Sequence, residues 1–210
     1  MKIFAIELSS RFGSLAVIEN GAVVAERQWE ENFNNRQQLF DAMSELEDDW
    51  NSFDLFAVGR GPGAFSGMRI GFTVVNALAA PLKKPVYALN SGAALAAQVG
   101  ADKTVVVGDA RRNKVWAGIF SGSQLEKEFT LMDRNELGAF VPENALVASP
   151  DQDRLEELLL KFDALDHPVF PTASGLGKLV FNRLQNTIES EPFEPLYMHP
   201  PVFVAPRFPA

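Results

Sequence analysis

KIFAIELSS, residues 2–10, and KTVVVGDAR, residues 103–111, share one plan. Each opens on lysine, runs through mostly apolar residues and reaches an acid, Glu7 in the first and Asp109 in the second. A short, nearly unbroken apolar run bounded by polar residues is the pattern of a strand buried on both faces. After each acid come a few small or polar residues and then a second strand, SLAVIE (14–19) or KVWAGIF (114–120). Each second strand reaches a glycine-containing turn, Asn20-Gly21 or Ser121-Gly122. Asn-Gly signals a two-residue hairpin, because both of its turn residues must take positive φ. The repetition predicts two lobes of one design, 1–100 and 101–210, with the second reduced.

Between the two copies the period changes. Leu39, Met43, Leu46 and Trp50 recur at helical spacing, which predicts an amphipathic helix over 36–50. FDLFAVG (53–59) reads as another buried strand. Ser66 is placed to cap a helix running to about Leu82, Pro85 opens the short strand VYAL, and Ser91–Val99 is an alanine-rich helix. Two more helices are expected near 151–164 and 174–190. The segment from 191 to 210 has six prolines, too many for regular structure, so it should run extended over the surface, with packing back onto the first lobe left open. Strands alternating with helices, with a hairpin at one side, imply an α/β layer structure.

The glycine-rich stretch VGRGPGAFSGMRIG, 58–71, stands where a phosphate loop would. It lacks the parts. A P-loop needs a lysine that reaches the phosphate, and none occurs between Lys2 and Lys83. Neither Gly59-x-Gly61 nor Gly61-x-Gly63 completes a dinucleotide loop, since Ala64 and Ser66 stand at the third glycine positions. Gly61 and Gly63 read instead as a tight strand-to-helix turn. Gly67 and Gly71, four apart on one helix face, let another backbone approach. The helix carries two apolar stripes, Ile70, Val74, Ala77 and Leu78 on one side and Phe72, Val75 and Ala79 on another. Two stripes exceed what a surface helix needs. Either both are buried within the lobe or one meets a partner.

Composition excludes several chemistries. With no cysteine there is no thiolate nucleophile and no Cys-based zinc site. The two histidines, His167 and His199, are far apart and each precedes a proline, so no helical metal-binding pair forms and no metal site is expected. The net charge of −8 is wrong for gripping nucleic acid alone. Arg60, Arg69, Arg111, Arg112 and Lys114 gather on the patterned segments; they could pair with a partner, touch RNA phosphate or stay solvated. Glu7 interrupts the N-terminal apolar run after four residues, so a strand is read there and no signal peptide. The longest later apolar stretch, 70–82, is too short for a bilayer. A cytoplasmic location with no membrane contact is expected.

The order FAIELSS (4–10), GRGPGAFSGMRIG (59–71), VVVGDARRNKVWAGIF (105–120) and EPLYMHPP (194–201) resembles the TsaB (YeaZ) family, the glycoprotease-like, non-catalytic partner in bacterial threonylcarbamoyladenosine synthesis on tRNA. The resemblance implies a two-lobed actin/Hsp70/sugar-kinase-like (ASKHA, ribonuclease H-like) α/β fold. It implies docking of a TsaD-like catalytic homologue through the first two helices, at Leu39, Met43, Arg69, Ile70, Phe72, Thr73, Val74, Asn76 and Ala77. It leaves open a TsaE-like ATPase as a further partner and a homodimer when the chain is alone; tRNA is met only through the complex. No cofactor is implied, although Glu7, Ser9 and Asp109 stand where the two-lobe ATPases hold a nucleotide, which leaves a weak nucleotide site, or an ATPase or phosphotransferase, as alternatives. A peptidase is the third reading, without a His or Cys pair to support it. Three positions depart from the family pattern: Glu7 replaces Asp, Asn35 replaces a His ahead of the first helix, and His199 replaces an Arg.

Overall fold

The first hairpin forms at the Asn-Gly signal. In the computed structural model, which describes residues 1–31, 37–46 and 49–200, β1 (Lys2–Glu7), β2 (Phe12–Glu19) and β3 (Ala22–Glu30) make an antiparallel meander. Asn20 and Gly21 turn β2 into β3 with φ of 50° and 85°. Helix α1 (Gln38–Leu46) is shorter than the expected 36–50; Arg36 and Asn35 lie outside the described residues. At its far end Trp50 belongs to a separate 3-10 turn, started by Asp49, whose carboxylate accepts from the Asn51 amide at 3.1 Å. β4 (Leu55–Gly59) runs parallel to β1 and leads into α2 (Phe65–Leu82). Ser66 does not cap that helix. The cap position is Ala64, with no side-chain acceptor, and its amide donates to the Ser9 carbonyl at 2.6 Å. Backbone pairing with the β1–β2 connection thus sets where α2 starts. β5 (Val86–Leu89) lies parallel to β4, and α3 (Ser91–Val99) is capped by Asn90 and closed by Gly100 in left-handed conformation, φ 69°.

The plan then repeats. β6 (Lys103–Arg111), β7 (Lys114–Ser121) and β8 (Gln124–Asp133) form a second meander. A one-turn helix α4 (Leu137–Phe140) precedes β9 (Leu146–Ala148), which pairs parallel to β6. The first sheet has the order β3-β2-β1-β4-β5 and the second the order β8-β7-β6-β9, so four strand positions and their directions recur. Helices α5 (Gln152–Leu159) and α6 (Ala173–Gln185) are both shorter than expected. α6 stops where Thr187 takes a left-handed φ of 57°.

Side-chain alternation along β1 sends Phe4 and Ile6 to one face and Ile3 and Ala5 to the other, and each face has its own cover. Leu39 and Ala42 of α1 and Phe72, Val75 and Ala79 of α2 pack on the Phe4–Ile6 face. On the far face of the second sheet, Leu137 of α4 and Leu155 and Leu159 of α5 cover Val105, Val107 and Ile119. α3 and α6 lie between the sheets, where Ile3, Ile18 and Leu89 share one core with Leu95, Val106, Trp116, Phe120, Leu176 and Val180. A division near residue 100 therefore separates the sheets but not the hydrophobic core. α6, from the second half of the chain, packs on β1 and β2 of the first sheet.

Candidate functional site

The glycine loop after β4 is shaped by what lies beneath it. Glu7, at the end of β1, is fully buried. Its Oε1 accepts from the Ser9 amide at 2.7 Å and its Oε2 from the Ser91 hydroxyl at 2.6 Å. That hydroxyl oxygen in turn accepts from the Gly61 amide at 2.9 Å, so the carboxylate holds the loop through Ser91. A Cβ on Gly59 would strike the Glu7 carboxylate, one on Gly63 the Ser9 carbonyl and one on Gly67 the Leu8 carbonyl. Gly61 turns the chain at φ 87°, which an L side chain rarely adopts. Gly71 differs, because a Cβ there would meet Val58 at 3.5 Å, an ordinary contact. Close approach is thus needed at Gly63 and Gly67 and not at Gly71.

Burial pushes the Glu7 carboxyl above its ordinary pKa, and the bonds from Ser9 and Ser91 only partly oppose this. A folded-state pKa above the unfolded value means that the native chain binds the proton more tightly. Its contribution to stability is greatest below the unfolded value near 4.5 and falls as pH rises through the folded value. Glu7→Gln keeps the shape and removes the titration. The difference in unfolding free energy between variant and wild type should therefore move in favour of Gln as pH rises from about 4.5 to 8 in urea titrations. A shift in favour of Glu would mean that the buried carboxylate is stabilised in its charged form.

Asp109, at the matching place on β6, has a different environment. Its carboxylate pairs with Arg111 at 3.2 Å and Arg134 at 3.3 Å, and its amide donates to Asp151 at 3.0 Å. Burial raises the pKa of Asp151, and the Asp109 amide and Arg154 work against that rise. Glu7 and Asp109 share no hydrogen bond or ion pair among the described residues; Glu7 is engaged by Ser9 and Ser91 and Asp109 by Arg111 and Arg134. Ser9 is buried beside Glu7. The turn after Asp109 is strained, since Arg111, Arg112 and Asn113 have positive φ, of 63°, 52° and 60°, at about 1 kcal/mol or more for each arginine and less for the asparagine.

The cations gathered by the sequence pattern separate. Arg60 is buried and belongs to an internal network, which corrects the expectation that it could face a partner or phosphate. Its Nη1 donates to Glu191 at 2.9 Å and its Nε to the Glu194 carbonyl at 2.8 Å. Lys114 pairs with Asp133 at 2.8 Å. Arg69 lies over the Phe65 ring, 5.4 Å from its centroid. His199 reaches the Ala110 carbonyl at 2.7 Å, tying the C-terminal segment to β6.

Helix α2 resolves its two stripes. Met68, Gly71, Phe72, Val75 and Ala79 face the sheet, whereas Arg69, Ile70, Thr73, Asn76 and Ala77 are exposed and Val74 is half-buried. Leu39 and Phe72 leave the expected docking set because their side chains fill the lobe's own core; Met43 is half-buried. Sequence reasoning missed Phe40 and Phe65, each exposed by more than half. Phe40 carried a signal: it is apolar and adjoins Leu39, off the buried stripe of α1.

The family model for tRNA N6-adenosine threonylcarbamoyltransferase, TsaD, matches residues 23–136, more than half of the chain. A tRNA threonylcarbamoyladenosine biosynthesis protein TsaB from Bacillus subtilis is 28% identical over 141 residues, 64% of this chain. YeaZ from Pseudomonas aeruginosa is 26% identical, covers 93% of this chain and 99% of its own, and superposes with a TM-score of 0.77. This chain belongs to the TsaB/YeaZ family. It spans 62% of the length of the curated TsaB relative it matches. The fold is shared with the activator of a 2-hydroxyisocaproyl-CoA dehydratase from Clostridium difficile, with bound ADPNP, which covers 89% of this chain and 97% of its own at 9% identity and a TM-score of 0.50. Within the segment that matches the transferase model, this TsaB/YeaZ-family chain has no histidine. No group of three or more His, Asp or Glu is placed to hold a metal among the described residues, and none of their helices is long and apolar enough to cross a membrane.

Proposed function

We propose that this chain is a non-catalytic subunit that binds and steadies a TsaD-type transferase for threonylcarbamoyl transfer to tRNA adenosine. The observation that carries the reading is the contrast between its two candidate sites. The strand-end acids are engaged by neighbouring protein groups, Glu7 by Ser9 and Ser91 and entirely out of solvent, Asp109 by Arg111 and Arg134, whereas α2 leaves Ile70, Thr73 and Ala77 uncovered. An exposed stripe on a helix whose opposite stripe already fills the core is surplus to folding and fits a partner. The docking set becomes Arg69, Ile70, Thr73, Val74, Asn76 and Ala77 of α2, with Met43 and Phe40 of α1. In this reading the complex works in the cytoplasm and meets tRNA through the transferase, because a chain of net charge −8 grips phosphate poorly. A TsaE-type ATPase joins as a further component, and the chain self-associates when the partner is absent.

Labelled threonine followed into tRNA tests this. The chain alone, with ATP, threonine and bicarbonate, should modify nothing. The transferase with its other pathway enzymes should modify tRNA, and omission of this chain should stop or sharply slow the reaction. Asp109→Ala should cost far less than a charge placed on α2. Equal rates with and without the chain would refute the subunit role. Full loss from Asp109→Ala in an assembled complex would instead favour nucleotide chemistry at the strand ends.

A further inference from the structure

Residues 191–199 form a strap across α2, fastened at both ends. At one end the Glu191 amide donates to the Ala88 carbonyl at 3.0 Å, and the Glu191 carboxylate accepts from Arg60 at 2.9 Å and from the Asn90 side chain at 2.7 Å. The Leu196 amide donates to the Arg60 carbonyl at 2.8 Å, and the far end is held by His199 on Ala110. Between these anchors the strap lays Phe193 on Phe72, with ring centroids 4.8 Å apart, and Tyr197 on Phe65, 4.9 Å apart. Neither ring is thereby hidden. Phe65, Phe193 and Tyr197 keep 57%, 46% and 44% of their surface exposed. Segments more than a hundred residues apart in the chain are thus brought into one apolar patch. Arg69 lies over the Phe65 ring, and among the described residues no carboxylate pairs with it.

We infer that the strap is the second wall of the docking face, and that the partner meets it with an apolar segment carrying a carboxylate opposite Arg69. This rests on the reading of α2 as the docking helix. Exposed aromatic rings around an arginine are the composition of an interface centre, where such side chains dominate binding. The unpaired cation selects the occupant. An apolar segment without an acid would bury the Arg69 charge uncompensated, at a large cost. A second copy of this chain, brought up by a two-fold axis through the patch, would set Arg69 against Arg69.

The test is titration of the TsaD-type protein of the same cell against wild type and variants of the full chain, each checked for an unchanged melting temperature. Tyr197→Ala and Phe193→Ala should each weaken binding about 10-fold, as hot-spot truncations do. Arg69→Glu should weaken it about 100-fold and Arg69→Lys much less, since a like charge facing the partner's carboxylate is repelled. Ala77→Asp, elsewhere on α2, probes the docking reading by itself. If Ala77→Asp weakens binding while the strap and Arg69 variants leave it unchanged, the strap inference is overturned and the docking reading survives. If none of the four positions matters, both fail. If Arg69→Glu and Tyr197→Ala alter only the self-association of the chain in sedimentation, the occupant is a second copy and the inference is wrong.

Discussion

Ile70→Asp should abolish association with the transferase and leave the melting temperature in place, whereas Phe72→Asp should unfold the first lobe. The two residues are two positions apart on one helix, and the difference lies in what each side chain touches. Ile70 is about half exposed, so a carboxylate there stays hydrated and alters stability by about 0.5 kcal/mol or less. At an interface the same carboxylate would be buried against apolar surface, which should weaken binding at least about 100-fold. Phe72 is buried in the core with Val75 and Ala79 and carries Phe193 on its ring. Its replacement by Asp loses about 3–5 kcal/mol of packing and adds the cost of an unpaired buried charge. That sum is comparable with the whole stability of a domain, about 5–15 kcal/mol. Circular dichroism melts together with partner titrations read both effects. If both variants fold and bind, the outward face of α2 is not the docking surface.

Gly67→Ala should destabilise the protein by roughly 2–3 kcal/mol, and Gly71→Ala should leave it unchanged or slightly more stable. Both glycines lie in α2, where alanine is intrinsically better by about 1 kcal/mol. At Gly71 that gain is realised, because the new methyl would meet Val58 at ordinary contact distance. At Gly67 it would collide with the Leu8 carbonyl, a backbone group that cannot turn aside as a side chain can. The helix must then lift from the β1–β2 connection. That shift would break the Ala64 amide bond to Ser9 and tilt the exposed stripe. Urea midpoints of the two variants give the comparison; equal midpoints would mean that α2 does not need this close approach.

Much of the fold was legible because strands and hairpins are local. The apolar runs at 2–7 and 103–109 and the Asn20-Gly21 turn are signals carried by consecutive residues, and they predicted an acid-ended strand followed by a hairpin in each half, where the structure has a three-stranded meander. Helix ends were less legible. Ser66 is a good cap by composition, but α2 starts at Phe65 because the Ala64 amide bonds to the carbonyl of Ser9, a residue distant in sequence. The site divided in the same way. The glycine loop is visible as a pattern, and its failure as a phosphate loop follows from the missing lysine and from Ala64 and Ser66 at the third glycine positions, which the sequence shows directly.

The amino-acid sequence by itself determined the two-lobed α/β plan, the absence of thiol and histidine-pair chemistry, and the presence of one helix with two apolar stripes. Only the tertiary structure decided which stripe of that helix is free, that Arg60 is an internal anchor, and that Phe193 and Tyr197 stand beside Phe65. The reason is the range of the interactions. Periodicity records which residues share a helix face, but burial depends on what arrives from elsewhere in the chain, and here the deciding groups are the sheet beneath α2 and a strap joined to it through Glu191, 131 residues after Arg60.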